Sequence, residues 1–249
     1  MNRIIPGTRE SLNTSGRSPI LPGLLALLGS RLILFLLFQS LIALIFNSWT
    51  RSEGYWLLTA TLTNMVSIAI LWLLFRNEGT DYLSLFRFNH ATLRKDIVTF
   101  ILLTLLIGPV AFAPNYLLST WLWTDPAIPY SMMFRPVEKW LSIVLLFAFP
   151  FTIVFAELAT YFGYIMPRLR KELNSAWLAV GLPVLLLSLQ HMTMPFIPDL
   201  KFIIYRGLVF LPFAALIGIA LHRRPTLFPY FALLHGIMDM GTAVMFLMP

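Results

Sequence analysis

Seven stretches of about twenty apolar residues leave this chain little choice of solvent. They run from about 24–47, 55–75, 97–122, 140–166, 176–194, 202–221 and 226–247, and each is long enough to cross the apolar layer of a bilayer as a helix. Inside hydrocarbon every backbone N–H and C=O must be satisfied by the segment itself or by a closed sheet, and no alternating pattern of a membrane barrel is present. The expected fold class is therefore all-α, a polytopic transmembrane helical bundle of about seven or eight helices. Composition agrees: 249 residues that are 58% hydrophobic and 12% charged are too apolar for one soluble core.

The ends of the segments carry the polar signals. Trp49, Trp56, Trp72, Trp121, Trp123, Trp140 and Trp177 all fall at or near them, where amphipathic rings are expected to sit at the membrane interface. Twelve of the eighteen basic residues lie in the N-terminal tail and in every second loop (Arg3, Arg9, Arg17, Arg76, Arg87, Arg94, Lys95, Arg168, Arg170, Lys171, Arg223 and Arg224), which predicts a cytoplasmic N-terminus and an external C-terminus. The formal charge of +7 is thereby a matter of topology, and nucleic-acid binding is not expected without a soluble basic face interleaved with stacking aromatics. Residues 1–23 read as a polar cytoplasmic tail and 24–249 as a single transmembrane domain; the first apolar stretch is too long for a signal-peptide core and lacks a small-x-small cleavage site. Of the two substantial loops, 77–95 is expected to be a cytoplasmic amphipathic piece and 123–139 a proline-rich external one. With no cysteine, thiolate catalysis, disulfides and cysteine-based metal sites are excluded.

Against this background Glu157, His191, His235 and Asp239 stand out, because each lies inside an apolar segment. Ionisable groups at such depth are costly and usually face a protein interior or a water cavity. Glu157 shares a helix face with Thr160 and Tyr161, whose hydroxyls are placed to bond the carboxylate or a water beside it, and a buried carboxylate has the character of a general base. Its structural alternative is an ion pair with a membrane arginine, Arg31 or Arg206. His191 alone reads more readily as an interfacial or packing residue than as a catalyst. His235 and Asp239 are spaced i, i+4, so that the carboxylate can fix the tautomer of the imidazole, or the two can simply glue helices together. On ideal helices Glu157 lies roughly 16 Å from Arg168 and His191 roughly 21 Å from Trp177. A kink at Pro150 or Pro183, helix tilt, or a re-entrant loop around Pro167 is expected to reconcile their depths.

At these residues the chain resembles the CAAX protease and bacteriocin-processing (Abi) family of membrane endopeptidases, over about Lys139 to Pro249. Gly163-Tyr164-Ile165-Met166-Pro167-Arg168-Leu169 matches the family's Gly-Tyr-x-x-Pro-Arg-Leu stretch and sets the register. Glu157 then takes the first glutamate of the family's Glu-Glu-x-x-x-Arg motif, while Leu158 replaces the second and Phe162 the arginine. His191 keeps the histidine of the second motif without its phenylalanine, and His235-Gly-Ile-Met-Asp239 satisfies the third. The resemblance implies hydrolysis of a membrane-embedded or lipid-anchored peptide, with Glu157 and His191 activating a water and His235 steadying the oxyanion. Asp239 would orient His235 or stay protonated. It implies an integral membrane protein of the cytoplasmic membrane of a prokaryote.

The departures at Leu158 and Phe162 leave open a family member that keeps the bundle for binding or bacteriocin immunity. A zinc ion held by Glu157, His191 and His235 is a competing reading, but the histidines are 44 residues apart rather than on one short helical motif, so a site without metal or other cofactor is favoured. A transporter or proton relay is a further class, weakened by the lack of an inverted repeat.

Overall fold

In a computed structural model, residues 20–247 are described; the readings of the tail, with Arg3, Arg9 and Arg17, and of the last two residues lie outside them. The chain is an all-α integral membrane protein with seven candidate spans: Leu21–Phe46, Trp56–Asn77, Leu93–Trp123, Lys139–Glu172, Ala176–Thr193, Leu200–Arg223 and Pro225–Leu247. These are apolar on most faces, so their order in the bundle comes from close approaches and from a few polar groups.

The fourth span is central, packing on both the second and the seventh. The seventh comes close because Gly236 lacks a side chain: a Cβ there would stand 2.4 Å from Val154 Cγ2 and 3.2 Å from the Pro150 carbonyl oxygen. Gly236→Ala must push these helices apart beside His235, at a cost of about 1–3 kcal/mol. A lowered melting temperature is expected, and equal values for variant and wild type would show that the contact relaxes freely. The fifth and sixth spans pair through Gly218, whose added Cβ would meet Val184 and Phe162. The third span is the least buried, leaning on the sixth and presenting Leu105, Phe112 and Trp121 outward.

Four spans depart from a plain α-helix, the seventh only in the 3₁₀ turns Pro225–Leu227 and Met245–Leu247 at its ends. The fourth runs as α-helix over Lys139–Leu158, widens into a π-helical stretch over Ala159–Ile165, and resumes over Met166–Glu172. No re-entrant loop forms at Pro167; it sits near the start of that last segment, where its missing N–H is tolerated. The fifth tightens into a 3₁₀ turn over Gln190–Thr193, and the sixth breaks between Val209 and Leu211. The π-helical stretch lies between Glu157 and Arg168, and the 3₁₀ turn carries His191. The core divides into two apolar clusters, which the fourth span joins through Phe149 and Ile153 on one side and from Leu158 onward on the other, with Glu157 at their boundary.

The loops are folded against the bundle. Of the expected amphipathic piece, Tyr82–Phe86 is a short 3₁₀ turn capped by Asp81; Tyr82 is buried and its hydroxyl donates to the Phe155 carbonyl. The other loop contains a short helix, Ile128–Met133. Trp56 is not at the lipid interface: it is buried and Nε1 donates to the Met133 carbonyl at 3.0 Å, while Trp72, Trp121, Trp140 and Trp177 are exposed.

Ion pairs close both rims. At one, Arg168 binds Glu78 and Tyr164 donates to the same carboxylate; at the other, Arg135 binds Glu53 at 2.6 Å and Tyr55 donates to Glu138. The hydrogen bond from Arg168 holds the Glu78 carboxyl below its ordinary 4.5. A carboxylate lowered in the folded state contributes stability above its unfolded value and loses it as the pH falls through the folded one. Melting curves of wild type and Glu78→Gln should therefore differ at neutral pH and converge well below pH 4.5. A constant difference would refute the linkage.

Candidate active site

A cavity of about 260 Å³ is lined by Glu157, His191, His235 and Asp239 together. Glu157 comes from the last turn of the α-helical part of the fourth span, His191 from the 3₁₀ turn of the fifth, and His235 and Asp239 from successive turns of the seventh. The remaining wall is largely apolar and aromatic, including Phe149, Ile153, Phe210 and Phe213.

The two oxygens of Glu157 have different surroundings. Oε2 accepts from Gln190 Nε2 at 2.7 Å and lies 3.5 Å from Arg31 Nη2. Oε1 is buried and makes no hydrogen bond among the described residues; His235 Nε2 is 3.3 Å away but out of hydrogen-bonding alignment. A buried acceptor without a partner costs about 1–3 kcal/mol, more when charged, so its retention calls for a functional explanation. Neither Thr160 nor Tyr161 bonds the carboxylate directly. Thr160 donates back to the Ala156 carbonyl at 2.8 Å, and the Tyr161 hydroxyl reaches Gln190 Oε1 at 3.3 Å.

Arg31 is the centre of a buried polar layer beneath the carboxylate. Its Nε donates to Gln190 Oε1 at 2.8 Å, Nη1 to Ser67 Oγ at 3.1 Å and Nη2 to Asn64 Oδ1 at 2.9 Å. Gln190 is thus bound from both ends, its oxygen by Arg31 and its amide nitrogen by Glu157. Of the two arginines considered as partners of Glu157, Arg31 makes the contact. Arg206 instead donates to the carbonyls of His191 and Met194, at 3.3 and 2.6 Å, and so clamps the turn that carries His191. Gln190, Asn64 and Ser67 were not among the expected site residues, though each is a polar side chain inside an apolar span.

His191 stacks on Phe210 with ring centroids 3.9 Å apart, and its Nδ1 is 2.9 Å from the Leu187 carbonyl oxygen. A carbonyl can only accept, so Nδ1 carries a proton, and in the neutral ring the lone pair is then on Nε2. His235 differs from the expected arrangement. Asp239 Oδ2 approaches its Nε2, at 3.1 Å, the same nitrogen that faces Glu157, while Nδ1 is buried without a partner among the described residues. One imidazole nitrogen therefore stands between two carboxylates, and Asp239 shares it with Glu157 rather than holding the opposite edge. Among the described residues no three His, Asp or Glu side chains are arranged to hold a metal ion.

The fold and the cavity define an integral membrane helical bundle with a polar centre enclosed between apolar layers. No protein-family model matches the chain, and neither a curated protein nor a solved structure matches it.

Proposed function

We propose that the protein is an intramembrane endopeptidase that hydrolyses a peptide bond of a membrane-embedded or lipid-anchored peptide, without a metal, in the cytoplasmic membrane of a prokaryote and with its N-terminus cytoplasmic. The observation that carries this reading is Oε1 of Glu157, which makes no hydrogen bond among the described residues and faces His235 in a cavity also lined by His191. A water bound at Oε1 gives a proton to the carboxylate as its oxygen adds to the peptide carbonyl carbon. The His191 Nε2 lone pair is the second acceptor available to that water. His235, with a proton on Nε2, donates to the oxyanion, a contribution of about 3 kcal/mol for one such donor. Asp239 Oδ2, 3.1 Å from the same nitrogen, must give up that N–H as the oxyanion forms. The proton then passes from Glu157 to the departing amine as the C–N bond breaks, leaving a carboxylic acid and an amine.

The contact between Arg31 and Glu157 favours one competing reading, in which the pair is structural and the protein binds a partner without cleaving it. The test is a cleavage assay on reconstituted protein, with Glu157→Gln and wild type side by side. A product formed by wild type and lost in the variant supports hydrolysis, and no product from either supports the structural pair.

A further inference from the structure

We infer that the cavity takes its substrate from the non-cytoplasmic side of the membrane, so that the scissile bond belongs to a peptide presented at the external face. The word substrate rests on the endopeptidase reading; the side of access rests on where the cavity lies in the bundle and on the distribution of charge.

Every span that lines the cavity does so from the same half of the bundle. The fourth span contributes Phe149, Ile153 and Glu157 but nothing nearer its Glu172 end, and the sixth contributes nothing beyond Phe213 toward Arg223. The fifth and seventh, which run the opposite way, contribute from Leu187 and His235 onward. On the far side of Glu157 the fourth span continues as Leu158, Tyr161, Phe162 and Ile165, all buried in the larger apolar cluster. That layer closes the cavity at one end.

At the other end lies a crevice of about 930 Å³ between the outer part of the third span, the Ile128–Met133 helix and Met245-Phe246. Asn115, Tyr130 and Phe134 line both spaces, so the crevice adjoins the cavity. Its walls are mostly aromatic and aliphatic, and Arg135, its basic residue, is paired with Glu53. Such a surface suits an apolar, extended peptide segment.

Charge assigns the two ends. Nine Lys and Arg residues flank the closed end, within 76–95, 168–171 and 223–224, against Arg51, Arg135, Lys139 and Lys201 at the open end. Basic residues near span ends are retained on the cytoplasmic side, which makes the closed end cytoplasmic and the open end external. A cytoplasmic peptide would have to cross the buried layer below Glu157 to reach the site.

Because the chain has no cysteine, single cysteines report without background. Ser131→Cys is placed on the exposed outer helix, Thr242→Cys on the cavity wall and His90→Cys on the exposed loop of the closed end. A membrane-impermeant maleimide added to sealed right-side-out vesicles is expected to label Ser131→Cys and Thr242→Cys. The His90→Cys signal should be lost until the vesicles are opened. Labelling of His90→Cys from outside, or failure of Thr242→Cys to label from outside, overturns the inference. Labelling needs no catalysis, so the same result in a Glu157→Gln background separates access from chemistry. A quenched fluorescent apolar peptide supplied outside should be cleaved, and the same peptide trapped inside should not. Cleavage only from within also overturns the inference. With external labelling intact, no cleavage from either side sinks the endopeptidase reading alone.

Discussion

Glu157→Gln is expected to slow cleavage by about 10²–10⁴-fold, the range for loss of a general base. An amide keeps the volume of the side chain and an oxygen that can accept from Gln190, but it cannot take a proton from water. The substitution also leaves Arg31 buried without its countercharge, and an unpaired buried charge is strongly destabilising. Lost activity alone would therefore not separate catalysis from misfolding. Glu157→Asp resolves this, because it keeps the charge beside Arg31 and withdraws the carboxylate by one methylene. A misplacement of about 1 Å is enough to cost about 100-fold in rate, so Glu157→Asp should be as stable as wild type and still catalytically weak. Measuring product formation and melting temperature on the same preparations decides the matter. A Glu157→Gln protein that cleaves at the wild-type rate would remove Glu157 from the chemistry.

The length of each apolar segment made the bundle legible, because hydrocarbon permits so few backbone structures and the seven spans follow from that one constraint. Cost of burial likewise singled out Glu157, His191, His235 and Asp239, which the fold brings to one cavity. What sequence did not reveal is which polar group each of them meets. Trp56 lies at a segment end, as an interfacial tryptophan does, yet it turns inward because the Met133 carbonyl offers its N–H a partner there. Thr160 shares a helix face with Glu157, but its own preceding turn offers the Ala156 carbonyl at shorter reach, a choice local to the helix backbone. Gln190 is one polar side chain among several in the spans, and only the fold shows that its amide binds both Arg31 and Glu157. The π-helical stretch after Glu157 has no periodic signature in a segment apolar on nearly every face, since rotating such a helix changes little in its pattern. Tertiary hydrogen bonding decides these features, and a single chain's residue order carries no direct record of it.

Arg31→Met is expected to destabilise the fold by about 3–5 kcal/mol, the range for removing one partner from a buried ion pair. The guanidinium is fully buried and serves Gln190, Ser67 and Asn64 as well as Glu157, so its loss strands several acceptors from three other spans. Lysine restores the charge but not the planar fork that reaches those acceptors in different directions, and Arg31→Lys should fall between wild type and Arg31→Met. The decisive comparison is the pair of singles with Arg31→Met/Glu157→Gln. Removing both charges relieves the penalty that each single leaves behind, so the double variant should be more stable than the sum of the singles predicts. It should remain inactive, because Glu157 is gone. Denaturant unfolding in detergent reads the stability and the cleavage assay reads the activity. Simple additivity would mean that the 3.5 Å contact is incidental and that Gln190 alone holds the carboxylate. Positive coupling would identify the first span as the source of the cation beside Glu157.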